Sequence, residues 1–307
     1  MNKNIIRSLL AKALVVLISM SGLVGWAHAQ VELKLSSLAD NLYLLEGAGA
    51  NILVNNGADG LVLVDGGNVV NAKAVLGTLQ KEFGDAPVAA LFNTHWHLDH
   101  TGLNALFSNS IDVISHENTK LWMTTEIISK WNDKIYLPQK SSTLPNKTFY
   151  FGSNKLSIND AEIEYGYLPQ GHTDGDIYVS FPKQNVIAAG GVIASGGYPV
   201  LDYSTGGWLG GMIDSLQMLL ELGDENTRFI SSMGEVRSRA DLEAQLEMCQ
   251  VAIRAITQSY YAGDTFAQFV ASKPMQAYDQ RWGNSTLFLE TAYEGAWGHV
   301  TELRRYR

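Results

Sequence analysis

The stretch Thr94-His95-Trp96-His97-Leu98-Asp99-His100-Thr101-Gly102 constrains this chain more than any other. It follows the apolar run Val88-Ala89-Ala90-Leu91-Phe92, so three imidazoles and a carboxylate arrive where a buried strand is expected to end. Polar groups are buried at such a place when they are paired or bound to a metal. On an extended segment His95 and His97 project to one side, because side chains alternate with period two. Asp99 and His100 fall at the start of a helix expected from Asp99 to about Ala105, from which they can face the same point. Imidazole nitrogen and carboxylate oxygen suit zinc and its neighbours. Asp99 could simply cap that helix and the histidines could be surface loop residues. Capping does not explain why three of the chain's seven histidines stand within six positions.

Residues 1–29 read as a secretory signal. Lys3, Arg7 and Lys12 precede the apolar run Ala13–Met20, and Ala27-His28-Ala29 has the small-x-small pattern of a cleavage site. The apolar run is shorter than the roughly 20 residues a membrane-spanning helix needs. Export to a periplasmic or secreted location, with cleavage before Gln30 and no membrane attachment afterwards, is the expectation. Residues 30–307 should form a single domain whose C-terminal region, from about residue 238, is helical. Cleavage removes three basic residues and takes the formal charge from -9 to -12. An acidic chain has no general attraction for phosphate backbones, which disfavours nucleic acid and leaves a small molecule as the expected partner. The single Cys249 cannot form an internal disulfide.

Three short strands, Leu42–Leu45, Asn51–Val54 and Leu61–Val64, are separated by Gly and Asn turns and read as a β meander. Asp65-Gly66-Gly67 closes the last of them, either as a plain turn or as a carboxylate that orients a metal-bound histidine. Val69–Phe83 has helical periodicity, with Val70, Ala74, Leu76, Leu79 and Phe83 on one face. Strand, helix and strand in this order predict a crossover unit and an α/β class. Beyond the histidine cluster, a strand at Ile111–Ser115 and a helix from Glu117 to about Ser129 are expected, with His116 as a helix-end residue. Trp131–Asn146 reads as a loop able to overhang a site. A second set of strands ends in Gly171-His172-Thr173-Asp174-Gly175-Asp176, where His172 again stands just past a strand. It is the candidate third histidine of a tetrahedral site with one open position. Strands at Ile177–Phe181 and Val186–Ala189, a glycine-rich passage over Gly190–Pro199, and helices at Trp208–Leu222 and Asp241–Tyr261 complete the pattern.

With His95-x-His97-x-Asp99-His100, Asp65 and the Gly171-His172 turn in this order, the chain resembles the metallo-β-lactamase-fold hydrolase superfamily. The resemblance implies a four-layer αβ/βα sandwich with a metal site at one edge. It implies that His95, His97 and His172 form the first zinc site, that Asp99 and His100 belong to a second, and that Asp65 lies behind the ligands. Family members with two metals usually carry an aspartate where this chain has Gly191 and a histidine where it has Met233. Neither residue replaces what is lost for a divalent ion. Glu235 is close enough in sequence to raise the question of a substitute.

The expected function is that of an exported zinc hydrolase with about one ion per chain, in which zinc-bound hydroxide attacks an ester, lactone, thioester or lactam. Asp99 would move the proton and His100 would hydrogen-bond the substrate or the oxyanion. A degenerate, non-catalytic metal-binding partner protein of the same fold is the alternative, and an iron redox role ranks third. If Gly191 and Met233 empty the second site, Gly191→Asp with Met233→His should refill it.

Overall fold

The computed structural model describes residues 32–306. The signal expected over residues 1–29 lies outside them. The first half supplies β1 (Lys34–Ala39), β2 (Leu42–Glu46), β3 (Ile52–Gly57), β4 (Gly60–Val64), helix α1 (Ala72–Phe83), β5 (Val88–Phe92), the short α2 (Asn104–Phe107), β6 (Asp112–His116) and α3 (Glu117–Met123). A two-stranded ribbon, β7 (Ile127–Ile128) and β8 (Ile135–Tyr136), follows, and then β9 (Lys147–Phe149). The second half supplies β10 (Ser153–Ile158), β11 (Ala161–Tyr167), β12 (Ile177–Phe181), β13 (Val186–Gly190), α4 (Leu209–Leu222), β14 (Arg228–Ser231) and the long α5 (Arg239–Ala262). Three further helices, α6 (Phe266–Ala271), α7 (Asp279–Trp282) and α8 (Thr286–Ala296), follow, and two 3-10 turns, Trp297–His299 and Glu302–Tyr306, close the described chain.

Two mixed sheets result. One has the order β1-β2-β3-β4-β5-β6-β9 and the other β10-β11-β12-β13-β14. In the first, β4, β5, β6 and β9 run parallel, which is what the crossover through α1 requires. Alternation along the strands decides which layer each side chain joins. On β3 to β5, Leu53, Val62, Val64 and Phe92 face the second sheet and meet Ile163, Ile177, Val179 and Ile230. Their neighbours Ile52, Val54, Leu61, Leu63 and Leu91 turn the other way and pack on Val75 and Leu79 of α1. The outer face of the second sheet is covered by α4, α5 and the C-terminal helices, through Ile187, Leu216, Phe229, Cys249 and Phe288 among others. Helix, sheet, sheet and helix therefore stack as four layers, and the strands between them are buried on both faces, which is why they read as continuous apolar runs.

Several local expectations change. The buried face of α1 is Val75 with Leu79, whereas Val70 is 81 % exposed because it sits in a single 3-10 turn before the helix proper. No helix starts at Asp99; residues 94–103 are bends and turns, and α2 begins at Asn104. The cause is backbone pairing with the segment after β4: Gly66 N–H donates to His100 O and Gly102 N–H to Gly67 O. A Cβ on Gly102 would lie 2.4 Å from Gly67 O, so only glycine permits this approach. The helix after His116 stops at Met123 because the ribbon β7–β8 takes over, and His116 is its N-cap, accepting from Asn118 N–H.

Candidate metal centre

The segments that follow β4, β5, β11, β13 and β14 meet at one edge of the sandwich, outside the ends of the strands. They enclose a cavity of about 260 Å³ whose lining includes His95, His97, Asp99, His100 and His172. Ile177 N–H donates to Thr94 O and Asn51 N–H to Ser232 O, so the two halves of the chain are tied together beside it.

Three imidazoles converge there. His97 Nδ1 is 3.1 Å from His95 Nε2 and 3.0 Å from His172 Nε2, and one nitrogen of each ring lies within 4.8 Å of the other two. All three side chains are buried. The opposite nitrogen of each ring has an oxygen partner that fixes its proton. His97 Nε2 faces Asp202 Oδ2 at 3.0 Å, and His172 Nδ1 faces Val200 O at 2.8 Å. His95 Nδ1 faces Thr94 Oγ1 at 3.1 Å, and that hydroxyl donates its own hydrogen to Asp65 Oδ2 at 2.8 Å, so it can only accept from the ring. Each ring therefore donates outward and turns a lone pair inward. Three lone pairs at this spacing repel one another unless a cation lies between them. Protons are poor candidates, because burial and the neighbouring imidazoles drive His95 well below the ordinary histidine range, and burial pushes His172 down to about 3. A tetrahedral ion with nitrogen ligands at about 2.0–2.1 Å sets neighbouring nitrogens about 3.3 Å apart, close to the two short separations here. The residues present fit a zinc-like ion.

The turn that delivers His172 is held by Asp176, whose buried carboxylate accepts from His172 N–H, Thr173 N–H and Thr173 Oγ1 at 2.7–2.9 Å. Burial nevertheless pushes its carboxyl up to about 7. On the other side Asp65 adopts φ 67°, a left-handed conformation that aspartate tolerates, and accepts from Thr94 N–H. It pairs with His100 Nδ1 at 2.8 Å and reaches the triad only through Thr94. Burial alone would lower His100, but the Asp65 carboxylate wins and raises it.

Asp99 is half-buried and, with His100, Gly191 and Met233, lines the same cavity. Glu235 is exposed and does not line it. Among the described residues His95, His97 and His172 are the only group of three His, Cys, Asp or Glu side chains gathered closely enough to share an ion. The space beside Gly191 is taken: a Cβ there would lie 2.2–2.6 Å from three atoms of the His172 ring. The expectation that Gly191→Asp refills a second site meets an obstacle, because the His172 ring occupies the volume that the new side chain would enter.

One contributor escaped the sequence reading and a second was anticipated only as part of a loop. Asp202, fully buried, accepts from Thr205 Oγ1 as well as from His97. It lies 105 residues from His97 and is flanked by Leu201 and Tyr203, so no local pattern announces it. Trp131, from the loop expected to overhang, lines the cavity with its ring centroid 5.5 Å from that of His97.

A family model described as the Metallo-beta-lactamase superfamily matches residues 45–247. The chain belongs to the metallo-beta-lactamase superfamily. Members of this superfamily bind metal ions, usually zinc, and include hydrolases such as beta-lactamases and alkylsulfatases. Among curated relatives, the 2,4-dinitroanisole O-demethylase subunit alpha of Nocardioides sp. strain JS1661 is 29 % identical over 119 residues, 38 % of this chain and 33 % of that protein. The match thus spans about a third of that subunit's length. The metallo-beta-lactamase type 2 of Elizabethkingia meningoseptica is 26 % identical over 193 residues, 60 % of this chain and 72 % of that enzyme. Among solved structures, a metallo-beta-lactamase from Pontibacter korlensis superposes with a TM-score of 0.57 at 19 % identity, over 71 % of this chain and 99 % of its own. The stereoselective inverting sec-alkylsulfatase Pisa1 from Pseudomonas sp. gives 0.68 at 16 % identity, over 85 % of this chain and 50 % of its own. At these identities the superpositions establish the superfamily's fold.

Proposed function

We propose that this chain is an exported hydrolase that holds one zinc ion on His95, His97 and His172 and cleaves a small ester, lactone, thioester or lactam. The observation that carries the reading is the inward convergence of three imidazole lone pairs, each fixed by an outward hydrogen bond. The similarity to a type 2 metallo-beta-lactamase supports a lactam or another acyl compound as the substrate class. Zinc on three imidazoles supplies Lewis acidity and makes water acidic near neutral pH. Asp202, Val200 O and Thr94 hold the rings in the ligating tautomer. Asp99, at the cavity wall, accepts a proton from water and returns one to the leaving group. His100, held by Asp65, hydrogen-bonds the carbonyl oxygen of the substrate. Trp131, Tyr198, Pro199 and Val200 give the cavity an apolar wall suited to the body of a small molecule. The segment 1–29 directs export.

Metal analysis of mature protein purified without added metal, followed by a panel of esters, lactones, thioesters and lactams, tests this. About one zinc per chain with turnover of one class is the expected result. Two tightly held ions overturn the single-ion reading. One ion with no turnover favours the non-catalytic partner protein.

A further inference from the structure

Behind the glycine-rich passage that walls the metal cavity lies a second cavity, of about 210 Å³, lined by Ile193, Ala194, Gly196, Arg237, Asp241 and Arg281 among others. Ile193 and Ala194 line both cavities, so one stretch of chain separates them. The passage is fixed on this side: Gln245 accepts from Ala194 N–H and donates to Val192 O, and Tyr198 N–H donates to Trp282 O.

The charges in this second cavity do not balance. The guanidinium of Arg237 makes no hydrogen bond or ion pair among the described residues, and its Nε is wholly buried without a partner. Arg281 stacks over Trp282 and approaches Asp241 Oδ1 only at 3.4 Å. Asp241 is the sole carboxylate of the lining, and its Oδ2 is already committed to Ser238 N–H and Oγ at the start of α5. Two cations therefore face one shared anion in an otherwise acidic protein. A buried N–H of a cation left without an acceptor is costly, and guanidinium donors match the oxygens of carboxylate, sulfate and phosphate groups.

We propose that this cavity binds a small anion, carrying one carboxylate, sulfate or phosphate group, on Arg237 and Arg281. Its volume equals that of about seven waters, enough for the oxyanion and a short organic body. Arg237 is the principal donor because its guanidinium lines the cavity without a hydrogen-bond partner among the described residues, Asp241 reaching it only through its field, and Arg281 adds charge from the solvent side.

Selenate and phosphate are the probes. Crystals of the zinc-loaded protein soaked in selenate should show an anomalous peak between Arg237 and Arg281. Phosphate, compared with chloride at equal ionic strength, should raise the melting temperature of the protein in solution. Arg237→Gln should remove the peak and weaken phosphate binding at least tenfold, with Arg281→Gln weakening it less. Zinc content should stay unchanged in both variants, which separates this site from anion binding at the metal centre. Arg281 is exposed enough for its variant to fold even if Arg237→Gln does not. No peak in the cavity, a peak only at the metal centre, or equal binding in wild type and Arg281→Gln would overturn the proposal.

Discussion

The two sides of the metal cavity are built differently. On one side each of His95, His97 and His172 is held outward by Thr94, Asp202 or Val200 O and turns its other nitrogen toward the remaining two rings. On the other side His100 is turned toward Asp65, the place beside Gly191 is filled by the His172 ring, and Met233 brings a half-exposed thioether. Both sides carry histidines from one short motif. What separates them is the oxygen behind each ring, since a ligand is only as well placed as the group that holds its far nitrogen.

That contrast breaks most sharply at the triad. His97→Ala and His172→Ala should each lower metal content from about one ion per chain to near zero and abolish turnover with it, because two imidazoles do not make a structural or catalytic zinc site. Elemental analysis and activity on one preparation check it; retained metal in either variant would mean that the other side of the cavity can ligate.

Gly191→Asp probes the filled side. Overpacking against His172 should cost about 1–3 kcal/mol of stability and displace that ring, so metal content should fall rather than rise to two. Adding Met233→His should not rescue it. A folded double variant with two zinc ions by chelator titration would show that His172 can move aside and that the second site is open after all.

A smaller, kinetic difference is expected at Asp99. Asp99→Asn should keep its zinc and slow turnover by roughly a hundredfold, the scale of a lost general base. If it empties the site instead, Asp99 is a ligand and the two sides are more alike than their hydrogen bonds indicate.

The finest distinction lies at Asp202. Asp202→Asn preserves the shape but exchanges an ion for an amide, and should weaken zinc affinity by about 10–100-fold while leaving stoichiometry at saturating zinc unchanged. Competition with a chelator measures it, and unchanged affinity would remove Asp202 from the account.

The strands were legible because burial on both faces leaves long apolar runs, as in Leu61–Val64 and Val88–Phe92, while the order of the layers came from the family resemblance. His95, His97 and His172 were legible because each stands just past a strand. What hid was whatever depends on distant backbone. The helix expected at Asp99 fails because residues 100 and 102 pair with residues 66 and 67, and the apolar face assigned to α1 shifts because Val70 lies in a preceding turn. Asp202 hid for the same reason, as its partner is remote. Two missing ligands of a second site were visible in the sequence, whereas the His172 ring beside Gly191 belongs to three dimensions.

His97 and His172 stand 75 residues apart, and the only cysteine of the chain is buried and free. An ion held between them would add a further strap to the hydrogen bonds, Ile177 N–H to Thr94 O and Asn51 N–H to Ser232 O, that already join the two halves of the chain at this edge. A ligand that binds only the folded form adds about 4 kcal/mol when present at a thousandfold excess over its dissociation constant. A cation among the three facing lone pairs would turn their mutual repulsion into attraction. Metal binding at the triad would therefore be linked to folding, and the supply of the ion would shift the balance toward native protein.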